Sequence, residues 1–358
     1  MNFIDLIQDN DFRNDIVKRI QNHLNEPSYH FPECFPLLYK YRTFNQHSIN
    51  DLLNDKVTVT SIGNFNDLFD STFHSYGQKK DIDQKAEQEW AELEELIIST
   101  GVSENILSHD YVVEQKKELL RKDSRLSFRE LDYLCVKASC FSKTNDSILM
   151  WSHYADENRG ICIEYDFNEI KSIDWLHKCL FPVAYSDTPM DLSDLLNKKL
   201  SPNNNYALEK AILCATLSKS NIWKYEHEWR LFFPPIFLNK DINYLPININ
   251  IKPKRIYLGY HFLKNFFYKN INDKEKEIEQ CKSNLLLFKE FLDFIKVQNI
   301  PVCVMAPNIG HYELCPKNIS TNDLERLCFS FFNNWKPKHM KYYYVAHDRL
   351  MDLLENTN

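Results

Sequence analysis

Short runs of β-branched and aromatic residues are scattered between helical stretches in no regular alternation, and this order limits the possible fold more than any other feature. "VTVTS" (57–61), "VKASCFS" (136–142), "GICIEYDF" (160–167), "FPVAYS" (181–186), "HEWRLFFPP" (227–235), "PKRIYLGY" (253–260) and "IPVCVMAPN" (300–308) read as strands. Helical spacing predicts helices over 1–25, 45–56, 191–220 and 270–296, with further ones near 321–335 and 346–355. A doubly wound sheet needs strands and helices in strict turn, so a mixed α+β fold is expected instead.

Glycine narrows the function classes. Only six occur in 358 residues, and neither G-x-G-x-x-G nor G-x-x-x-x-G-K-[ST] is present. A Rossmann or P-loop nucleotide cradle is therefore excluded as an expectation. The net charge of −7 argues against a generally basic surface for nucleic acid. The amino terminus reads as an amphipathic helix of mixed charge rather than a signal peptide. No apolar run approaches a membrane span. The ten cysteines are dispersed without a C-x-x-C pair, which suits reduced, buried thiols of a cytoplasmic protein and no structural zinc site.

The expected organisation is a single domain over 1–358. An N-terminal helix and loop (1–35) precede a sheet core over 36–79 and 135–310. A helical insertion (80–134) interrupts that core, and a helical extension (311–358) follows it.

Polar residues gather at the ends of the expected strands, where sites are often built. In "YKYR" Lys40 and Arg42 share one face of a strand, with Tyr39 and Tyr41 on the other. "FNDLFD" offers Asn66, Asp67 and Asp70 in a turn, and Ser142 ends a strand shortly before Trp151, His153 and Tyr154. In "EHEWRLFFPP" strand alternation puts Glu226, Glu228 and Arg230 on one face and Trp229, Leu231 and Phe233 on the other. The plain reading of E-x-E is an edge-strand charge pair balanced by Arg230. The sharper reading is a catalytic carboxylate with a helper.

"YKYR", "FNDLFD", "CFSKTNDSILMWSHYADENRGICIEYDF" and "KSNIWKYEHEWRL" resemble, in order, the signature blocks of domain-of-unknown-function family 2971, across about residues 38 to 260. Leu68 departs from that pattern, which has proline there to stiffen the loop. A second similarity supplies chemistry. Arg42, Ser142, and Glu226 with Glu228 follow the R–S–E order of ADP-ribosyltransferases, with "TVTS" (58–61) an alternative for the serine motif.

This resemblance implies mostly antiparallel sheets of ADP-ribosyltransferase-like type and NAD as substrate. Cleavage of the nicotinamide–ribose bond develops an oxocarbenium-like sugar that a carboxylate can stabilise. Glu228 takes that role in the implied site, while Glu226 orients or deprotonates the attacking group. Arg42 suits the pyrophosphate, with Lys40 and Asn66 as further NAD contacts. Ser142 bonds the ribose or Glu228, and Tyr154 or Trp151 stacks on nicotinamide. The acceptor is a protein, a nucleic acid, a small molecule or water. A toxin or anti-phage setting, with an antitoxin or regulatory partner, belongs to the same resemblance. Two other classes stand beside it: a metal-dependent hydrolase or nuclease built on Asp67, Asp70, His153 and a glutamate, and a non-catalytic binding module.

Overall fold

The computed structural model describes residues 3–74, 125–127, 137–169, 175–196, 206–233, 244–268, 274–308, 310–332 and 337–355, and within 75–124 only residues 83, 87, 91, 113, 114 and 117. Ten strands form its main sheet: β1 (Leu37–Arg42), β2 (Lys56–Ser61), β3 (Lys137–Ser142), β4 (Ile161–Asp166), β5 (Leu180–Pro182), β6 (Glu228–Phe233), β7 (Tyr244–Asn248), β8 (Arg255–Leu258), β9 (Val302–Asn308) and β10 (Glu313–Ile319). The path across it is β7-β2-β3-β1-β4-β8-β9-β10, and β6 joins β3 to β5 off that path. All pairs are antiparallel except β8 with β9. The mixed, mostly antiparallel expectation therefore holds.

The sheet branches at β3. Along its whole length β3 pairs with β6, from Glu228↔Ser142 to Phe233↔Lys137. A strand has two hydrogen-bonding edges, so β1 and β2 share the other one. β1 meets it only at Tyr39↔Ser142, and β2 only at Thr60↔Ala138 and Ser61↔Lys137. Between those contacts the two strands part and the sheet splits.

Both faces of β4, β8 and β9 are buried, which is why these stretches read as continuous apolar runs. Alternate residues face opposite ways. Ile161, Ile163, Ile256, Leu258, Val302 and Val304 join the large core, together with Leu285, Phe288, Leu292 and Ile295 of the Lys274–Gln298 helix. Cys162, Tyr257, Cys303 and Met305 face a smaller core that is covered by Met150 and Trp151 of the Ile148–Tyr154 helix. Among the described residues no helix is long and apolar enough to cross a membrane.

Several expected elements differ. The N-terminal helix is two, Phe3–Gln8 and Asn10–Leu24, because Asp9 caps the second through the N–H of Phe12 at 2.9 Å. The stretch 181–186 breaks into β5 and Ala184–Ser186. The span 191–220 is not continuously helical: after Ala207–Thr216 the chain extends, and Ser218–Ser220 pairs in parallel with Ala184–Ser186. Most of the expected insertion lies outside the described residues, but Arg125–Ser127 is a strand against Thr72–His74. The sheet also runs past residue 310 to Ile319. β7 carries only a faint signal, since Pro246 interrupts it, and it is tolerated because β7 ends the sheet.

The start of β4 is fixed by close contact. Asp156, Glu157 and Asn158 all hold φ between 50° and 65°, a left-handed turn that leads the chain into Gly160. A Cβ there would stand 2.2 Å from the carbonyl oxygen of Arg42. Gly160→Ala is therefore expected to push β4 off the end of β1 and lower stability by about 1–3 kcal/mol, the usual scale of overpacking. Urea unfolding would measure this, and an unchanged midpoint would refute the account.

Candidate active site

A cavity of about 720 Å³ opens in the split of the sheet. Seven of the residues nominated from the sequence line it together: Lys40 and Arg42 from β1, Asn66 from the loop after β2, Ser142 from β3, Tyr154 from the covering helix, and Glu226 with Glu228 at the head of β6. Ser142 lies between Tyr39 and Glu228 in one row across β1, β3 and β6. Two strand spacings separate the outer members of that row, roughly 10 Å. Arg42 lies three residues further along β1, again roughly 10 Å.

Glu226 is not on the strand. It closes the short helical turn Asn221–Glu226, and His227 then takes a left-handed conformation (φ 43°, ψ 49°). That reversal, rather than strand alternation, brings both carboxylates to one lysine. Lys219 donates to Glu226 Oε2 at 2.5 Å and to Glu228 Oε2 at 2.8 Å. Nor is the strand an edge, since β6 has neighbours on both sides. Arg230 is wholly buried beneath the glutamates. Its Nη1 and Nη2 grip Asp70 at 2.9 and 2.6 Å, its Nε donates to Glu228 at 2.8 Å, and Nη1 also donates to the Thr216 carbonyl at 2.5 Å. With Nη2 to Glu228 at 3.2 Å, all five guanidinium N–H groups are used.

Three carboxylates (Asp70, Glu226, Glu228) thus meet two cations (Lys219, Arg230), which leaves one negative charge in excess when all are ionised. The imbalance falls on Glu226. Burial raises its pKa, with the neighbouring Glu228 charge adding to this, and together they outweigh Lys219 and the 2.6 Å hydrogen bond from Tyr154. Glu228 goes the opposite way. Burial works against its charge, but Arg230 and Lys219 hold it well below the usual carboxylate range. Glu226 is therefore the group suited to exchanging a proton, and Glu228 the fixed anion.

Ser142 differs from expectation. Its hydroxyl donates to the Glu226 carbonyl at 2.7 Å and accepts the Thr144 N–H at 3.1 Å, so it braces the turn that carries Glu226 rather than bonding Glu228. Trp151 is fully buried in the smaller core and donates to the Asn145 carbonyl at 2.7 Å. Tyr154, the other aromatic residue considered for stacking, lines the cavity and is joined to Asn66 at 3.1 Å. The loop lacking proline at Leu68 is held by other means: Asp67 accepts the N–H of Phe69 at 2.9 Å, and Asp70 is clamped by Arg230. The proposed metal ligands are not assembled. Asp70 is committed to Arg230, His153 contacts Tyr225 at 3.2 Å, and no group of three potential ligands occurs among the described residues.

On the opposite wall, Lys40 reaches into the split. Its amine donates to Ser139 Oγ and to the Cys140 carbonyl, both at 2.7 Å, where β1 has left the edge of β3. Burial, with Arg42 adding to it, pushes its pKa down to about 7. Arg42 is partly exposed and shares Asp51 at 3.3 Å. Lys219, the cation that organises the glutamates, escaped sequence reading. Its only signal is a lysine seven residues before Glu226, in a span that reads as helix.

Residues 150–231 match the model of DUF2971, described as a protein of unknown function. This segment contains Tyr154, Lys219, both glutamates and Arg230, while Lys40, Arg42, Asn66 and Ser142 lie outside it. No curated protein and no solved structure matches the chain.

Replacing Arg230 by methionine strands Asp70 and Glu228 without their buried cation. A loss of about 3–5 kcal/mol is expected in urea unfolding at neutral pH. Adding Asp70→Asn should recover part of it, and a single variant as stable as the parent would show that the network is not coupled as described.

Proposed function

We propose that the protein is an NAD-consuming enzyme that cleaves the nicotinamide–ribose bond in the split of the sheet and passes ADP-ribose to an acceptor or to water. One observation carries this reading. A cationic wall (Lys40, Arg42) on β1 and a carboxylate pair at the head of β6 (Glu228, with Glu226 in the turn before it) line one cavity from either side of β3, at a separation that suits a dinucleotide.

In this reading the fixed negative charge of Glu228 stabilises the oxocarbenium-like sugar as nicotinamide leaves. Glu226 accepts the proton of the attacking hydroxyl or water, and Tyr154 holds it in place through its hydrogen bond. Arg42 meets the pyrophosphate as a permanent cation. Lys40 joins it when protonated. Ser142 positions Glu226 through the backbone. The net acidic chain favours a protein or small-molecule acceptor, or hydrolysis, over duplex DNA.

Nicotinamide release from NAD by the full-length protein tests the reading. Glu228→Gln is expected to lower it about 100-fold or more, roughly 3 kcal/mol of transition-state stabilisation. Gln also leaves Lys219 and Arg230 short of a counter-charge, so stability falls too, and turnover must be counted per folded molecule. Equal release from folded Glu228→Gln protein rejects the assignment.

Lys40 sets a pH dependence. Below its pKa of about 7 it is an ammonium, and above that an uncharged amine. Affinity for ADP-ribose should therefore fall as pH rises from 6 to 8, by about tenfold when the bound phosphate keeps the lysine protonated. Titration calorimetry in buffers of different ionisation heat would show the accompanying proton uptake. Its absence, with binding intact, would remove Lys40 from the phosphate contacts.

A further inference from the structure

The cavity extends well past the phosphate-facing cations. A second row crosses the sheet at the other end of the split: Tyr244 pairs with Thr60, Thr60 with Ala138, and Ala138 with Phe232. Four residues of β3 separate this row from the one that holds Ser142 and Glu228, roughly 13 Å along the strand. Tyr244, Thr60, Thr58 and His47 all line this far end.

Three features there point to a planar, hydrogen-bonding ligand. Tyr244 is 62% exposed, a large aromatic ring with little protein over it. As register partners in an antiparallel pair, Tyr244 and Thr60 carry side chains on the same face, about 5 Å apart at Cβ. The Thr60 hydroxyl is buried at the cavity wall, yet no protein group bonds it among the described residues. A buried hydroxyl left without a partner beside a cavity is the kind of group that a ligand satisfies. Its neighbour Thr58 differs, since its hydroxyl donates to Asp51 at 2.6 Å and meets His47 Nε2 at 3.1 Å. That network holds the Arg42–Asp51 pair next to the far end.

We infer that Tyr244 and Thr60 form a subsite for a purine base, with the ring of Tyr244 against the base and the Thr60 hydroxyl bonded to its edge. The inference rests on the NAD reading and orients the ligand within it: nicotinamide ribose at the glutamates, phosphates at Arg42 and Lys40, adenine at the β2–β7 end. Stacking on an aromatic side chain tolerates any base, so the hydroxyl supplies the edge recognition.

The test compares NAD with nicotinamide mononucleotide, which lacks the adenylate half. Tyr244→Ala should raise KM for NAD about tenfold or more, the scale of one lost base–aromatic stack, and leave kcat near the parent value. Thr60→Val, which keeps the shape and loses the hydroxyl, should raise KM for NAD about threefold to tenfold. Neither change should alter turnover of nicotinamide mononucleotide. Unchanged KM for NAD in both variants overturns the subsite while leaving NAD cleavage standing. Equal losses on both substrates overturn it as well, because the two side chains would then be acting through the fold. If the parent protein releases no nicotinamide from NAD, the NAD reading falls and takes this inference with it.

Discussion

A β-strand has two hydrogen-bonding edges, and Lys137–Ser142 has three neighbours. Because β6 occupies one edge along its full length, β1 and β2 must divide the other, each holding one end. Backbone groups between those ends then need partners that are not strands. Lys40 supplies one by donating to the Cys140 carbonyl. The opening is thus a consequence of pairing geometry, and the residues beside it inherit their role from where β1 leaves the edge. Lys40 and Arg42 follow Tyr39, the last residue of β1 still in register with β3, and so they face the gap.

The charge network under the gap is a different kind of constraint. Burying five ionisable side chains is expensive, and such networks contribute little net stability compared with apolar packing. Their geometry is nevertheless restrictive. Arg230 has every donor engaged, so the loop that bears Asp70, the end of the Ala207–Thr216 helix and the head of β6 are held in one arrangement. Lys219 extends that arrangement to Glu226. Because the cations are outnumbered by one, the network holds Glu228 ionised and leaves Glu226 as its adjustable member. Two carboxylates two positions apart are given different properties by their surroundings rather than by their own chemistry.

Much of this was legible before folding. Runs rich in β-branched and aromatic residues marked eight of the ten sheet strands, and polar residues at strand ends nominated seven that line one cavity. These signals are local: they depend on side-chain period, backbone propensity and the residues flanking each strand. The same logic misplaced Glu226, because a left-handed His227 breaks the alternation that a continuous strand would impose.

Pairing between distant segments lies beyond such signals. Lys219 belongs to a stretch with helical spacing, and only the parallel pairing of Ser218–Ser220 with Ala184–Ser186 makes it extended and turns its amine toward both glutamates. Tyr244 and Thr60 stand 184 positions apart and become neighbours only through register. The sequence by itself determined most of the strands and helices and which residue types the chain can bring to a site, since those follow from period and propensity over a few residues. Which edge of β3 each strand takes, and therefore where the sheet opens and which charges are buried together, was decided by the tertiary structure, because hydrogen-bond saturation and desolvation act on groups that only folding brings into contact.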